Sequence, residues 1–220
     1  MIPGSAAPIL LSIAAGGNLQ IGQAFQGGYY AGTITYNINV YDGWLRSTNG
    51  PSYHLVVAPK ANGDSSTILQ YKTSATCDGL ESTQTSSQSR FDGYHNTYTS
   101  VVGSSSSHPA ANYCQPLSFG GYSDWYLPAI EEANLAFGNL RQLANWQSGG
   151  SESFRSGTVI ISGNSISDIS AYWTSTGDSC ENTGTQGSAA MYNAGGGYII
   201  QGYNKATTQF FVRAIRRVAA

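Results

Sequence analysis

Glycine and serine interrupt this 220-residue chain about every ten positions, and this spacing limits the length of any helix or strand. Glycine is unfavourable inside both kinds of element and favours turns. Between the interruptions lie short apolar or alternating segments, such as residues 53–58 (YHLVVA) and 158–161 (TVII), which are typical of β-strands. The pattern therefore predicts many short, mostly antiparallel strands joined by tight turns.

The second half of the chain contains the clearest hairpin pattern. Residues 189–192 and 198–201 are strand-like and flank the turn-forming run NAGGG at 193–197. Residues 209–218 (QFFVRAIRRV) predict a final strand with one continuous face. Residues 82–107, which are rich in serine and threonine, predict a loop.

One segment has the periodicity of a helix. Pro128 predicts its start, because proline tolerates the first helical position. Glu131 and Glu132 follow where the helix dipole favours negative charge. A single apolar stripe then recurs at three- and four-residue spacing, formed by Ile130, Ala133, Phe137, Leu140 and Ala144. One or two helices among many strands predict an α+β fold.

The low content of charged residues limits which classes of partner this chain can bind. Charged residues make up 10% of the chain, against about 25% in an ordinary globular protein. The formal net charge of -2 argues against a nucleic-acid partner, which requires clustered lysine and arginine. The polar surface is expected to consist of amides and hydroxyls, a composition common in extracellular adhesins and phage particles.

The N-terminal segment, residues 1–20, has no charged side chain. Its apolar run is shorter than the roughly 20 residues of a membrane span, and the first basic residue is Arg46, which argues against a signal peptide. We interpret it as a docking arm that precedes a folded domain at 21–220 and joins the protein to itself, with a trimer favoured, or to other virion proteins; a disordered tail is the alternative. The docking residues are Ile9, Leu10, Leu11 and Ile13.

The three cysteines, Cys77, Cys114 and Cys180, leave at least one thiol without an internal partner. Three reduced thiols and a Cys77–Cys114 bridge both remain open. The cysteines and histidines lack the spacing of a metal site, and we expect neither a metal nor a cofactor.

Five segments together resemble the DUF1566 family, also called the Lcl C-terminal domain family, over residues 21–218. The most specific is the block GGYSDWYLP with the helix that follows it. The segments are IGQAFQGGYYAG (21–32), YHLVVAP (53–59), AANYCQPLSFGGYSDWYLPAIEEANLAFGNL (110–140), AYWTST (171–176) and FVRAIR (211–216).

The resemblance implies a C-type-lectin-like fold in which the N- and C-terminal strands pair and Trp125 and Trp173 lie in the core. Members of the family occur in bacterial surface proteins, lipoproteins and phage particles, and some bind glycans. The chain departs from the family at Ala129, where a helix-capping Ser or Thr is usual. We therefore expect packing to hold the start of the helix.

No G-x-S-x-G, H-E-x-x-H or phosphate-loop motif is present. Asp124 is expected to bond turn amides or an arginine of the last strand. At least one of Arg213 and Arg216 is expected to pair with Asp124 or Glu132, because an arginine in a strand face needs a partner. His54 is interpreted as a core histidine. These residues are therefore predicted to be structural.

Two other kinds of site lack part of their usual residue pattern in this chain. A formylglycine-type oxidase requires a pair of reactive cysteines near the C-terminus, whereas only Cys180 lies there. The loop at 178–182 offers Asp178, Glu181 and Asn182 as oxygen ligands for calcium, without the signatures of calcium-dependent lectins.

Residues 174–208 carry the predicted ligand-binding face. Tyrosine gives contact area at low entropic cost, and small polar residues adapt their hydrogen bonds to a ligand. Ordinary turn and strand composition is the alternative. The predicted face consists of Tyr192, Asn193, Tyr198, Tyr203 and Asn204.

The sequence thus predicts a non-enzymatic virion surface or structural protein, such as a fibre, tail or head-decorating subunit, with a face for a receptor or a host cell-surface glycan. A glycan-binding adhesin of the extracellular bacterial surface is the alternative, and the oxidase is a remote third. No membrane insertion is expected.

Overall fold

Three antiparallel sheets account for most of the regular structure. The computed structural model describes residues 18–36, 50–75, 89–98, 106–180 and 187–220. The first sheet has the order β1 (Ala24–Phe25), β2 (Gly28–Thr35), β3 (Ser52–Val57) and β11 (Ile215–Ala219). The second has the order β4 (Leu69–Gln70), β10 (Gln209–Phe210), β5 (Gly157–Ile161) and β6 (Asn164–Ile169). The third contains β7 (Ala171–Cys180), β8 (Gly187–Asn193) and β9 (Tyr198–Asn204).

Helices are fewer and mostly short. They are α1 (Lys60–Gly63), α2 (Gly93–Tyr98), α3 (Pro109–Cys114), α4 (Ile130–Leu140) and a 3-10 turn at Ala144–Trp146. The mixed α+β class with mostly antiparallel strands is confirmed, but the described residues contain four α-helices rather than one or two.

The helix α2 lies inside the segment that was predicted as a loop. Its start is held by side-chain oxygens. Asp92 Oδ1 accepts the amide hydrogen of His95 at 2.8 Å, and Ser89 Oγ accepts that of Asp92 at 3.0 Å. Short polar residues of this kind favour helix starts as well as turns, so composition alone did not separate the two.

The expected pairing of the terminal strands is wrong for the described residues. The last strand, β11, pairs with β3, and β3 separates it from β1 and β2. Three consecutive residues of β3, Leu55, Val56 and Val57, are completely buried. Buried backbone groups need hydrogen-bond partners on both edges of the strand, and β3 therefore takes the centre of the sheet.

The predicted final strand is also interrupted. Residues 209–210 belong to the second sheet, and the chain enters the first sheet only at Ile215. Between them, Phe211 exchanges backbone hydrogen bonds with β7: its carbonyl accepts from Trp173 at 2.9 Å, and its amide donates to Ala171 at 3.0 Å. The C-terminal segment thereby joins all three sheets.

Both tryptophans predicted for the core are fully buried. Trp125 stacks on Phe119 with ring centroids 4.3 Å apart, and Trp173 Nε1 donates to the Leu69 carbonyl at 2.7 Å. The helix α4 buries Ile130, Ala133, Phe137 and Leu140 as predicted, whereas Ala144 lies beyond the helix end and is exposed.

Hydrogen bonds hold the start of α4, where packing alone was expected. Ala129 occupies the cap position and has no oxygen to offer. Instead, Thr176 Oγ1 of β7 accepts from the Ile130 amide at 3.0 Å, and the Arg90 carbonyl accepts from the Glu131 amide at 3.0 Å. Acceptors from distant segments therefore replace the missing cap.

Candidate functional site

The turn that joins β8 to β9, residues 193–198, is called here the hairpin end. Asn193 closes this turn with two hydrogen bonds. Its carbonyl accepts from the Gly197 amide at 2.7 Å, and its Oδ1 accepts from the Gly196 amide at 3.0 Å. Gly197 has a φ of 74°, a conformation that favours glycine. The turn is therefore closed by specific hydrogen bonds.

Tyr198 is the largest exposed feature of the hairpin end. Half of its surface, 50%, is exposed, and the only other large hydrophobic residue exposed among the described positions is Ile166. Its ring lies over Gly196, where an added Cβ would be 2.0 Å from Cε1. Asn193 Nδ2 also donates to Tyr198 Oη at 3.2 Å. These contacts hold an aromatic ring in a defined position at the surface.

Arg141 connects the hairpin end to the helix. It follows the last turn of α4, where the helix dipole favours a positive charge. Its Nε donates to the Ala194 carbonyl at 3.1 Å, and its Nη2 donates to the Gly195 carbonyl at 2.9 Å. The guanidinium group lies against Gly197, since a Cβ there would be 2.1 Å from Nη1. No sequence pattern marks Arg141 as a residue of this turn.

Tyr192 does not belong to the exposed face, which corrects the prediction. It is fully buried and packs edge-on against Phe137 of α4, with ring centroids 5.6 Å apart. Successive strand residues point to opposite faces of a sheet. Tyr192 therefore faces the helix, whereas its neighbour Asn193 shares a face with Tyr198, its cross-strand partner.

Tyr203 and Asn204 lie at the other end of β9, away from the hairpin end. Tyr203 is partly buried against Phe210, with ring centroids 5.0 Å apart. Asn204 Oδ1 accepts from the amides of Ala206 and Thr207 at 3.0 and 3.1 Å, which makes it a turn residue. Of the five predicted ligand-binding residues, the structure brings only Asn193 and Tyr198 together at the hairpin end.

The arginines of the C-terminal segment have structural partners. Arg216 forms two hydrogen bonds with the Asp124 carboxylate, at 2.8 and 3.0 Å, which is the pairing expected from the sequence. Arg213 is fully buried and donates to Asp64 at 3.1 Å and to Glu152 at 2.8 Å. These pairs link the last segment to the rest of the core.

Glu132 is a buried carboxylate whose hydrogen bonds come from tyrosines and backbone amides. The hydroxyls of Tyr36 and Tyr126 donate to its Oε1, and the amides of Gly93 and Ala129 donate to its Oε2 at 3.0 and 2.8 Å. Burial, with the nearby Asp92 carboxylate, raises the pKa of Glu132 to about 7. The group is sealed inside the protein, so it acts on stability.

The described residues offer little support for a reactive thiol or a metal site. Cys114 is a free, buried thiol whose pKa burial raises well above its usual value, and a nucleophilic thiol needs the opposite shift. Cys77 lies outside the described residues, as do the candidate calcium ligands Glu181 and Asn182. Within the described part of the chain, no group of three or more His, Cys, Asp or Glu residues is arranged to hold a metal ion.

The docking arm also falls outside the described residues, including Ile9, Leu10, Leu11 and Ile13. Among the helices that are described, none has the length and apolar character needed to cross a membrane. Comparison of the chain with protein-family models, curated proteins and solved structures found no match. The family resemblance drawn from the five sequence segments therefore remains a prediction.

Proposed function

We propose that this chain is a non-enzymatic virion surface protein with a C-type-lectin-like domain, and that its hairpin end binds a glycan of the host-cell receptor. The observation that carries the proposal is the Tyr198 ring, which is half exposed and held in place by Gly196 and Asn193.

An exposed, immobilised tyrosine suits carbohydrate binding. The negative face of an aromatic ring attracts the polarised C–H groups of a sugar ring. Because Tyr198 is already positioned, little side-chain entropy is lost on binding. The low charge of the chain, 10%, leaves amides and hydroxyls as the groups that hydrogen-bond a sugar.

The virion assignment is supported by sequence features. The apolar, uncharged segment at 1–20 suits burial on a partner, either another subunit or a particle protein. Several copies on one particle would convert weak glycan binding at each hairpin end into firm attachment. The C-type-lectin-like assignment is supported by the five family-like segments, of which the Asp124–Trp125 block is anchored to the last strand through Arg216.

Glycan binding is tested with the full chain on a glycan array. We expect specific binding that Tyr198→Ala reduces at least tenfold, because the stacking surface is removed. Ile166→Ala is the matched control, since it removes the other exposed large hydrophobic side chain. Absence of any bound glycan, or equal binding by both variants, would contradict the proposal.

The arm is tested separately by deleting residues 1–17. We expect the folded domain to persist, as measured by circular dichroism, while oligomer formation in light scattering or incorporation into particles is lost. A truncated protein that assembles as well as the full chain would show that the arm is only a tail.

A further inference from the structure

The outer edge of β9 is open among the described residues. β9 is the last strand of its sheet, and its other edge pairs with β8. The Asn193 carbonyl accepts from the Gly197 amide, so the backbone groups of Asn193 point toward β9. Because this direction alternates along paired strands, Tyr198 points back to β8, and Ile199 and Gln201 point outward. Their outward N–H and C=O groups have no backbone partner within the described chain.

β9 differs from the other edge strands of the three described sheets. β1 and β4 have two residues each, whereas β6, β7 and β11 each contain an Asp or Arg residue, which discourages strand addition. β9 has seven residues and no charge. A bulge at Gly202, whose φ is 90°, ends its regular part. The open edge therefore suits a short, uncharged segment.

The docking arm joins the domain close to this edge. Gly22 packs against the end of α4, where an added Cβ would be 2.2 Å from Leu143 Cδ1. Arg141, at the same end of the helix, donates to the Ala194 carbonyl of the hairpin end, from which β9 starts. Residues 1–17 precede the described chain, and an extended segment of that length spans about 60 Å. The arm is therefore long enough to reach β9 of an adjacent copy.

We propose that residues 9–13 of one copy add a strand to the open edge of β9 in a neighbouring copy. This inference rests on the proposed docking of the arm on another subunit. Residues 9–13 contain neither proline nor a charged side chain, so every residue offers a backbone donor and acceptor. The added strand hydrogen-bonds the outward backbone groups of Ile199 and Gln201.

The side chains of the two partners match as well. Ile199 and Ile200 lie on opposite faces of β9, and both are only partly buried. An extended segment at 9–13 also carries apolar side chains on both faces, with Leu10 on one face and three residues on the other, Ile9, Leu11 and Ile13. Strand addition therefore covers both isoleucines of the edge and the apolar residues of the arm.

Cross-linking between labelled copies tests which chain supplies the strand. Full-length protein is prepared unlabelled and ¹⁵N-labelled, with a photoreactive phenylalanine analogue in place of Leu10. The two forms are mixed as dilute subunits, concentrated and irradiated, and the products are identified by mass spectrometry. We expect the arm to be joined to residues 198–204, with heavy–light pairs among the products. The same analogue in place of Ser5 is the control and should not react with β9.

Two pairs of full-length variants test the backbone contact. Gln201→Pro removes an outward N–H and leaves the β8–β9 hydrogen bonds in place, so it should weaken assembly at least tenfold in light scattering, whereas Gln201→Ala keeps the N–H and should stay within twofold. Leu11→Asp should speed exchange of the Ile199 and Gln201 amide hydrogens at least tenfold in NMR. The Ile200 amide, which points to β8, should be unchanged, and Ala7→Asp is the control.

The outcomes separate this inference from the docking of the arm. Cross-links confined to one label would show that the arm folds onto its own β9, and the exchange between copies would be overturned. If deletion of residues 1–17 abolishes assembly but Leu11→Asp leaves the outward amides unchanged, the β9 site is overturned and the docking arm stands. If the truncated protein assembles normally, both are overturned.

Discussion

The C-terminal segment and the hairpin end use arginine in opposite ways. Arg213 is fully buried between the carboxylates of Asp64 and Glu152, whereas Arg141 holds two backbone carbonyls at the surface and meets no described carboxylate. In the C-terminal segment, the charge of Arg213 forms ion pairs that join distant segments of the chain. The hairpin end instead keeps a positive charge next to an exposed aromatic ring. The difference shows that arginines of one domain can either form buried ion pairs or bond only backbone carbonyls near the surface.

The largest expected effect tests the structural half of this comparison. Arg213→Met should lower the free energy of unfolding by about 3–5 kcal/mol, because two carboxylates lose their buried counter-ion. Arg141→Met should cost about 1–2 kcal/mol, since it removes one part-buried and one exposed hydrogen bond and leaves no buried charge unpaired. Urea unfolding measures both. Equal losses in the two variants would remove the distinction between the two regions.

The next effect concerns the buried carboxyl of Glu132 in α4. The pKa of Glu132 is raised from its ordinary 4.5 to about 7, so the folded protein binds a proton that the unfolded chain has already released between these values. Stability should therefore fall as the pH rises from 4.5 to 7. At about 1.4 kcal/mol for each pH unit, the loss attributable to Glu132 approaches about 3 kcal/mol.

Comparison of the wild type with Glu132→Gln isolates this contribution. The variant cannot ionise at position 132, so its free energy of unfolding should depend less on pH over this range. Asp64, whose pKa burial also raises, contributes with the same sign in both proteins and cancels in the difference. Parallel pH profiles for the two proteins would show that Glu132 does not titrate there.

The smallest effect tests the space beside Arg141. Gly138→Ala should raise the free energy of unfolding by about 0.5–1 kcal/mol, because alanine is favoured over glycine inside a helix and the added methyl group has room, with the Tyr192 hydroxyl oxygen 3.6 Å away. Gly163→Ala is the control, since it also meets open space but has a φ of 83°. There the methyl group is strained, and stability should fall. Destabilisation by Gly138→Ala in thermal unfolding would show that this space is closed in solution.

Local sequence patterns located several of the longer regular elements correctly. The NAGGG run predicted the turn between β8 and β9, and the three- and four-residue spacing after Pro128 predicted α4, although that helix begins two residues later at Ile130. Asp124 pairs with Arg216, which is one of the two kinds of partner predicted for it. These features depend on residues close in sequence or on a charge that requires a partner.

The exposed face of the β8–β9 hairpin was predicted less well, because it depends on which side of a strand meets the helix. Tyr192 and Tyr198 belong to the same hairpin and have the same side chain. One is completely buried against Phe137, and the other is half exposed. Alternation along a strand separates such residues into two faces but does not say which face is covered. Only the position of α4 decides this.

By itself, the sequence determined where the β8–β9 turn lies, where the longest described helix lies and that at least one of Arg213 and Arg216 would pair with an acidic residue. Glycine placement and apolar periodicity act over a few residues, so they can be read without the fold. The tertiary structure alone decided that β11 pairs with β3, that Thr176 caps α4 and that Arg141 reaches the hairpin end. Each of these contacts satisfies a backbone group, at a strand edge, a helix start or a turn, with a partner far away in the sequence. Such partners can be identified only once packing has brought the segments together.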